Sequence, residues 1–316
     1  MNKIIQRFSY GILGLSLLFI YGASFKGITP SVFWEKSGIS SIKETFSVPY
    51  DILKTAPCPL APNLYVGSSE ELHRVFERAD FSLDQARQGM GNIPKLYLAK
   101  LPSDFKKQLS PQKRQMVFLQ TVLPIIIEVN QGILKMREQL EGLQKKVQLG
   151  QSLSQEEETY LAQLYQDYNV KDCNLDKLLQ KVDIIPVSLT LAQGILESGW
   201  GTSALAQKSN SLFGHTNNNN TMKRFSSLVG TVEYHVKNLN RHAAYADFRK
   251  RRAQLRKKEG QILNAHHLAE GLKPYSERGM RYVQDIRRIM KQYQLYQFDD
   301  HPSLHYRHPP HEGRNA

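Results

Sequence analysis

The sequence predicts a mainly helical (α+β) fold with one small β lobe, and three observations predict it. First, over residues 113–148 the apolar positions Met116, Leu119, Leu123, Ile126, Ile127, Leu134, Leu140, Leu143 and Val147 recur at three- and four-residue steps, the spacing of an amphipathic helix. Second, apolar stripes of the same period return from Leu175: Leu178, Leu179 and Val182, then Leu189, Ala192, Ile195 and Leu196. Third, Thr216 to Gly230 is polar, rich in Asn and breaks that period, as a small β element or loop would.

A chain of 316 residues holds one catalytic domain of ordinary size plus an appendage. Its 41% hydrophobic and 22% charged residues give no reason to read it as disordered or membrane-embedded throughout. Residues 1–27 set the compartment. Lys3 and Arg7 precede a charge-free, mostly apolar run from Phe8 to Phe25, the layout of a signal sequence. The weak small-residue site Tyr21-Gly22-Ala23-Ser24 fits a cleaved leader. The run also approaches the roughly 20 residues that span a bilayer, so a retained inner-membrane anchor fits as well. Either way the protein is expected in the cell envelope, on the periplasmic side.

Residues 28–66 carry Pro30, Pro49, Pro57, Pro59 and Pro62 without apolar periodicity and read as a spacer. Residues 67–170 form an N-terminal helical extension, with Pro124 expected to kink or divide its long helix. A further helix starts at Ser154, where Ser154 and Glu157 stand in capping-box spacing. Residues 171–296 form the catalytic domain. After its small lobe, helices are expected near Thr231–Leu239, Ala244–Lys257, Gln261–Glu270 and Glu277–Tyr293. Residues 297–316, with His301, His305, His308 and His311, read as a disordered tail. Cys58 and Cys173 allow one disulfide. No Cys/His cluster has zinc spacing, and neither metal nor cofactor is expected.

Lys plus Arg number 42 against 29 Asp plus Glu, a net charge of +13, which favours a polyanionic partner without naming it. The excess is densest at Arg249, Lys250, Arg251, Arg252, Arg256, Lys257 and Lys258. A solvated helix face and a binding surface both account for such a run. Export and the lack of a nucleic-acid motif argue against nucleic acid.

The chemistry concentrates in Leu191-Ala192-Gln193-Gly194-Ile195-Leu196-Glu197-Ser198-Gly199-Trp200-Gly201-Thr202-Ser203, followed by Asn210-Ser211-Leu212-Phe213-Gly214. The periodicity through Leu189, Ala192 and Leu196 makes a helix, and Ser198-Gly199 stops it. Glu197 therefore lands at a helix C-terminus, where the macrodipole disfavours an acid. A residue set against local preference points to function. Desolvation beside Leu196 and Trp200 would raise its pKa, and a carboxyl group that keeps its proton can protonate a glycosidic oxygen.

These motifs resemble the glucosaminidase domain shared by bacterial autolysins and the flagellar peptidoglycan hydrolase. Val182-Asp183-Ile184-Ile185-Pro186, Asn238-Leu239-Asn240-Arg241-His242-Ala243-Ala244-Tyr245 and Tyr275-Ser276-Glu277-Arg278-Gly279 with Tyr282-Val283 resemble the Bax-type envelope proteins within that group. The resemblance spans about Leu175 to Tyr293. It implies a lysozyme-like helical domain with a cleft, and an endo-β-N-acetylglucosaminidase acting on peptidoglycan glycan strands. Glu197 matches the catalytic acid and Tyr275 a cleft-lining tyrosine. Trp200, Ser203, Asn210, Phe213 and Tyr282 are the matching candidates for substrate binding, with core packing the alternative for Trp200 and Phe213.

Two departures stand out. Ser211 replaces the usual Asn, and residues 215–232, where many members carry a second acid, hold no Asp or Glu. Glu233 is the nearest candidate, although an acid that begins a helix also simply complements the helix dipole. Without a second carboxylate, the substrate's N-acetyl group would serve as nucleophile. Lytic-transglycosylase-type cleavage and a non-catalytic glycan-binding module are the alternatives.

Overall fold

In a computed structural model, residues 61–304 are described, apart from Asn218 and residues 259–262. The signal or anchor segment, nearly all of the spacer, Cys58, His305, His308 and His311 lie outside the described residues, while Cys173 is exposed. Within them the fold is mainly helical: α1 (Ser69–Arg78), α2 (Leu83–Arg87), α3 (Phe105–Gln108), α4 (Pro111–Gln148), α5 (Gln155–Asp167), α6 (Leu175–Lys181), α7 (Val187–Ser198), α8 (Ala204–Ser209), α9 (Leu228–Arg241), α10 (Ala246–Arg256), α11 (Ala265–Leu268) and α12 (Met280–Gln292). Most of them start where a short polar side chain can accept from the first turn. Ser68, Ser82, Ser110, Asn174, Ser203, Ser227 and Asn264 each do so, and Ser154 forms the full capping box with Glu157.

The extension is no appendage. Helix α4 buries residues 117–127 without a break, the pattern of a helix surrounded by protein. It packs against α6, α7 and α9. By length and composition alone it could cross a membrane, but most of its apolar stretch is buried inside the fold. Pro124 neither ends nor divides it. Proline removes one ladder bond, and burial on all sides compensates. Asn130 ties α4 to the segment before α7, donating from Nδ2 to the Ile185 carbonyl at 2.8 Å and accepting from the Ile185 amide at 3.3 Å. Arg137 adds bonds to the carbonyls of Leu179 and Val182 at 2.6 and 3.0 Å.

The basic run is largely absorbed by the fold. Arg252 is fully buried and donates to the carbonyls of Asp183, Ile184 and Gln180 and to Asn240 Oδ1, at 2.7 to 3.0 Å. Arg256 grips the buried Asp183 carboxylate at 2.9 and 3.1 Å. Arg249 donates to the Leu239 and His242 carbonyls, and Arg251 pairs with Asp247 and Glu270. Lys250, Lys257 and Lys258 remain exposed.

The expected β lobe is reduced to an antiparallel bridge between Thr216 and Met222. The asparagines explain this, because side chains that bond nearby backbone and hydroxyl groups compete with strand pairing. Asn219 Oδ1 accepts from both the Thr221 hydroxyl and its amide, and Asn217 Nδ2 donates to Thr221 Oγ1. At the other end, Phe298 and Leu304 are buried, so the folded part runs past residue 296.

The 3-10 segment Ala269–Tyr275 lies against α10 through Gly271. A Cβ there would sit 2.5 Å from Phe248 Cα and 2.8 Å from Phe248 N, backbone atoms that cannot turn aside. Gly271→Ala is expected to lower stability by roughly 1–3 kcal/mol, read as a drop in thermal midpoint. An unchanged midpoint would count against this close approach.

Candidate active site

Helix α7 ends as the sequence predicts, with Gly199 in the left-handed conformation as its C-cap. Its N-terminus is held differently. Pro186 provides no side-chain cap; instead Asp299, from the end of the folded chain, accepts from the Ser188 amide at 2.8 Å and the Ser188 hydroxyl at 2.6 Å. Burial pushes the Asp299 carboxyl up to about 7, against the pull of these donors. Ser198 closes the C-terminal turn, donating to the Gly194 carbonyl at 2.5 Å and accepting from the Gly201 amide at 2.8 Å.

Glu197, beside this locked turn, is half-buried. Burial raises its pKa, while a hydrogen bond from Tyr282 and the charge of Arg278 oppose the rise. Such a carboxyl group is suited to carrying a proton closer to neutral pH. A Cβ on Gly214 would stand 3.2 Å from Glu197 Oε2. Gly214 has φ +67, so the absent side chain both permits the turn and leaves room for the carboxylate.

Tyr275 and Tyr282 stack, ring centroids 5.3 Å apart. Tyr275 donates to the Phe213 carbonyl at 2.7 Å, and burial drives both hydroxyls well above the ordinary tyrosine value. Tyr245 is pushed to about 12, chiefly by burial, with the Glu197 charge adding to the rise. Gly214 thus borders the carboxyl group, and Tyr245, Tyr275, Tyr282 and Arg278 lie within its electrostatic reach.

The other candidates fall elsewhere. Phe213 is 1% exposed and stacks on His235 at 3.9 Å, so its carbonyl rather than its ring serves the site. The Trp200 ring packs edge-on against Phe118 and Tyr293 at 5.8 and 4.6 Å, a core contact rather than a free sugar platform. Ser203 caps α8 by accepting from the Ala206 amide. Asn210, buried and left-handed at the end of α8, donates to the Phe225 carbonyl at 3.2 Å. Glu233 is half-buried in the second turn of α9. Ser211 is buried with no hydrogen-bond partner for its hydroxyl among the described residues, at the position where the longer Asn was expected.

Sequence reasoning missed Gln193, His215 and His235. Gln193 is fully buried on α7; its Nε2 donates to Tyr282 Oη at 3.1 Å, and its Oε1 lies 3.1 Å from His235 Nε2. His235 Nδ1 lies 3.2 Å from His215 Nε2. Burial, reinforced by Lys223, lowers His215 to about 4, and burial lowers His235 well below its ordinary value. Both are neutral at physiological pH. A Gln inside the otherwise apolar run Leu191–Leu196 was the available signal.

Two surface cavities lie apart from Glu197. One of about 780 Å³ is bordered by α11, α12 and Asp299. The other, of about 520 Å³, is lined by Leu205, Ser209, Asn217, Thr221, Met222, Lys223 and Arg224.

Residues 174–295 match the glucosaminidase family, described as mannosyl-glycoprotein endo-beta-N-acetylglucosaminidase. The chain is also similar to protein bax of Escherichia coli (strain K12), with 38% identity over 195 residues that cover 57% of this chain and 69% of the relative. No solved structure matches it. The matched span takes in Glu197, Gly214, Tyr275 and Tyr282, and by that identity and coverage the chain belongs to the Bax-type family of proteins with a glucosaminidase domain.

Proposed function

We propose that the protein is an envelope glycosidase that cleaves the β-1,4 bond after N-acetylglucosamine in peptidoglycan, with Glu197 as general acid. The observation that carries this reading is the half-buried Glu197 carboxyl, raised in pKa by burial and faced by Tyr282, Tyr245, Tyr275 and Arg278. A glycosidic oxygen leaves only when protonated, and a positioned acid of raised pKa supplies that proton. Tyr275 and Tyr282 wall the site.

Residues 215–232 contain no acid. This favours the substrate's own N-acetyl oxygen as the attacking group once the leaving oxygen is protonated. The N-terminal basic and apolar run supports a periplasmic location for this reaction.

Digestion of purified wall sacculi followed by mass spectrometry tests the assignment. Soluble fragments with N-acetylglucosamine reducing ends are expected. Muramic-acid reducing ends or anhydro ends would overturn the bond assignment, and binding without release would leave a glycan-binding module.

A further inference from the structure

The cavity of about 520 Å³ beside α8 has a lining of one charge sign. Lys223 and Arg224 bring two cationic groups, Ser209, Asn217 and Thr221 bring hydroxyl and amide groups, and no Asp or Glu lines it. In the basic run the arginines are spent on Asp183, on Glu270 or on backbone carbonyls. Lys223 and Arg224 form no such ion pair among the described residues.

The walls of this cavity are held by the fold. The Phe225 amide donates to the Ser209 carbonyl at 2.9 Å, and the Lys223 amide donates to the His215 carbonyl at 2.8 Å. Asn210 Nδ2 donates to the Phe225 carbonyl at 3.2 Å, so the lobe is stapled to the end of α8. The half-buried Lys223 side chain is oriented as well. Its Nζ stands 4.6 Å from the centre of the Tyr234 ring, a cation–π contact, and Tyr234 packs on Phe225 and His215 at 5.5 and 4.9 Å. Cations placed this way in a concave, polar site fit a carboxylate, which accepts charge-assisted hydrogen bonds from both.

The cavity is also close to the acid. Gly214 borders Glu197, and Asn217, three residues on, lines the cavity. Three residues of extended chain span at most about 11 Å, roughly the reach of a neighbouring sugar and its side group. In peptidoglycan that side group is a short peptide bearing carboxylates.

We propose that this cavity binds a carboxylate of the peptide carried by a sugar next to the cleaved bond, with Lys223 and Arg224 as its partners, so that the protein prefers peptide-bearing glycan. This preference presupposes the peptidoglycan substrate of the reading above.

The test is the binding of full-length Glu197→Gln protein to soluble, uncrosslinked glycan strands, followed by calorimetry so that no bond need be cut. The strands either carry their peptides, carry them with the carboxylates amidated, or are stripped of peptide and keep only the lactyl carboxylate. With the cavity intact, the first is expected to bind roughly tenfold more tightly than the other two. Adding Lys223→Gln and Arg224→Gln should make all three bind alike. Adding Lys250→Gln and Lys257→Gln instead, which removes the same charge from exposed positions of the basic run, should keep the preference. Circular dichroism verifies each fold, and the amidated strands test the cavity without any change in it. Amidated or stripped strands bound as tightly as peptide-bearing ones overturn the proposal, as does a preference that survives loss of Lys223 and Arg224 or vanishes in the surface control. Binding without preference leaves the peptidoglycan reading standing, whereas no binding to any strand defeats both.

Discussion

Glu197→Gln is expected to reduce release of wall fragments by roughly 10²–10⁴-fold, the usual contribution of a general acid, while making the protein more stable at neutral pH. The amide keeps the shape of the side chain but has no proton to transfer. The stability effect follows from the sign of the pKa shift. Glu197 has a folded pKa above its ordinary 4.5 because burial penalises the charged form. Its favourable contribution is complete below the ordinary value and is lost as pH rises through the raised one. Above the ordinary value the unfolded chain ionises more readily than the folded one, which opposes folding, and the neutral amide removes that cost. The difference in thermal midpoint between variant and parent should be small at pH 4 and grow toward pH 7. Activity should fall on the alkaline side of the same titration. Undiminished release by a folded Glu197→Gln protein would remove Glu197 from the mechanism. A variant less stable than the parent at pH 7 would contradict the burial account.

The second large effect is expected at Asp183. Burial alone would raise this carboxyl, yet Arg256, Arg252 and Arg137 outweigh it and hold the pKa at about 2. Arg252, fully buried, is lowered to about 10 by its own desolvation and so stays charged. Asp183→Asn leaves that guanidinium without its counter-charge, a loss of about 3–5 kcal/mol by analogy with other broken buried pairs. Because the folded pKa is depressed, the contribution of Asp183 is present above the ordinary value of 3.8. It is lost as pH falls toward 2, to the extent of roughly 2 kcal/mol. Denaturant unfolding at pH 7 and pH 3 measures both: the parent should weaken on acidification more than Asp183→Asn does. Equal acid sensitivity would show that other groups govern the loss.

The same network explains why the basic run misleads when read as sequence. Charge density at Arg249 to Lys258 is equally compatible with a solvated face and a polyanion surface. What separates the outcomes is Asp183, far away in the chain, together with a set of backbone carbonyls that Arg252 and Arg249 satisfy. Neither periodicity nor composition reports which arginines meet such partners. Trp200 and Phe213 follow the same logic. Aromatic residues beside an acid suggest sugar stacking, yet here their rings meet Phe118, Tyr293 and His235.

By itself the sequence determined the long helices with apolar stripes, the Ser154 capping box, the position of Glu197 one residue before a helix end, and the family motifs around it. These depend on neighbours within a turn or two, where spacing and side-chain type decide the outcome. Tertiary structure alone decided that α4 is a core helix passing through Pro124, that the small β lobe shrinks to a single bridge, and that Glu197 is desolvated. Those outcomes depend on partners remote in sequence, such as Tyr282 bonded to Gln193 across 89 residues and Asp299 capping Ser188 across 111. Desolvation and hydrogen-bond direction are properties of what surrounds a side chain, and packing brings those surroundings together only after the chain has folded.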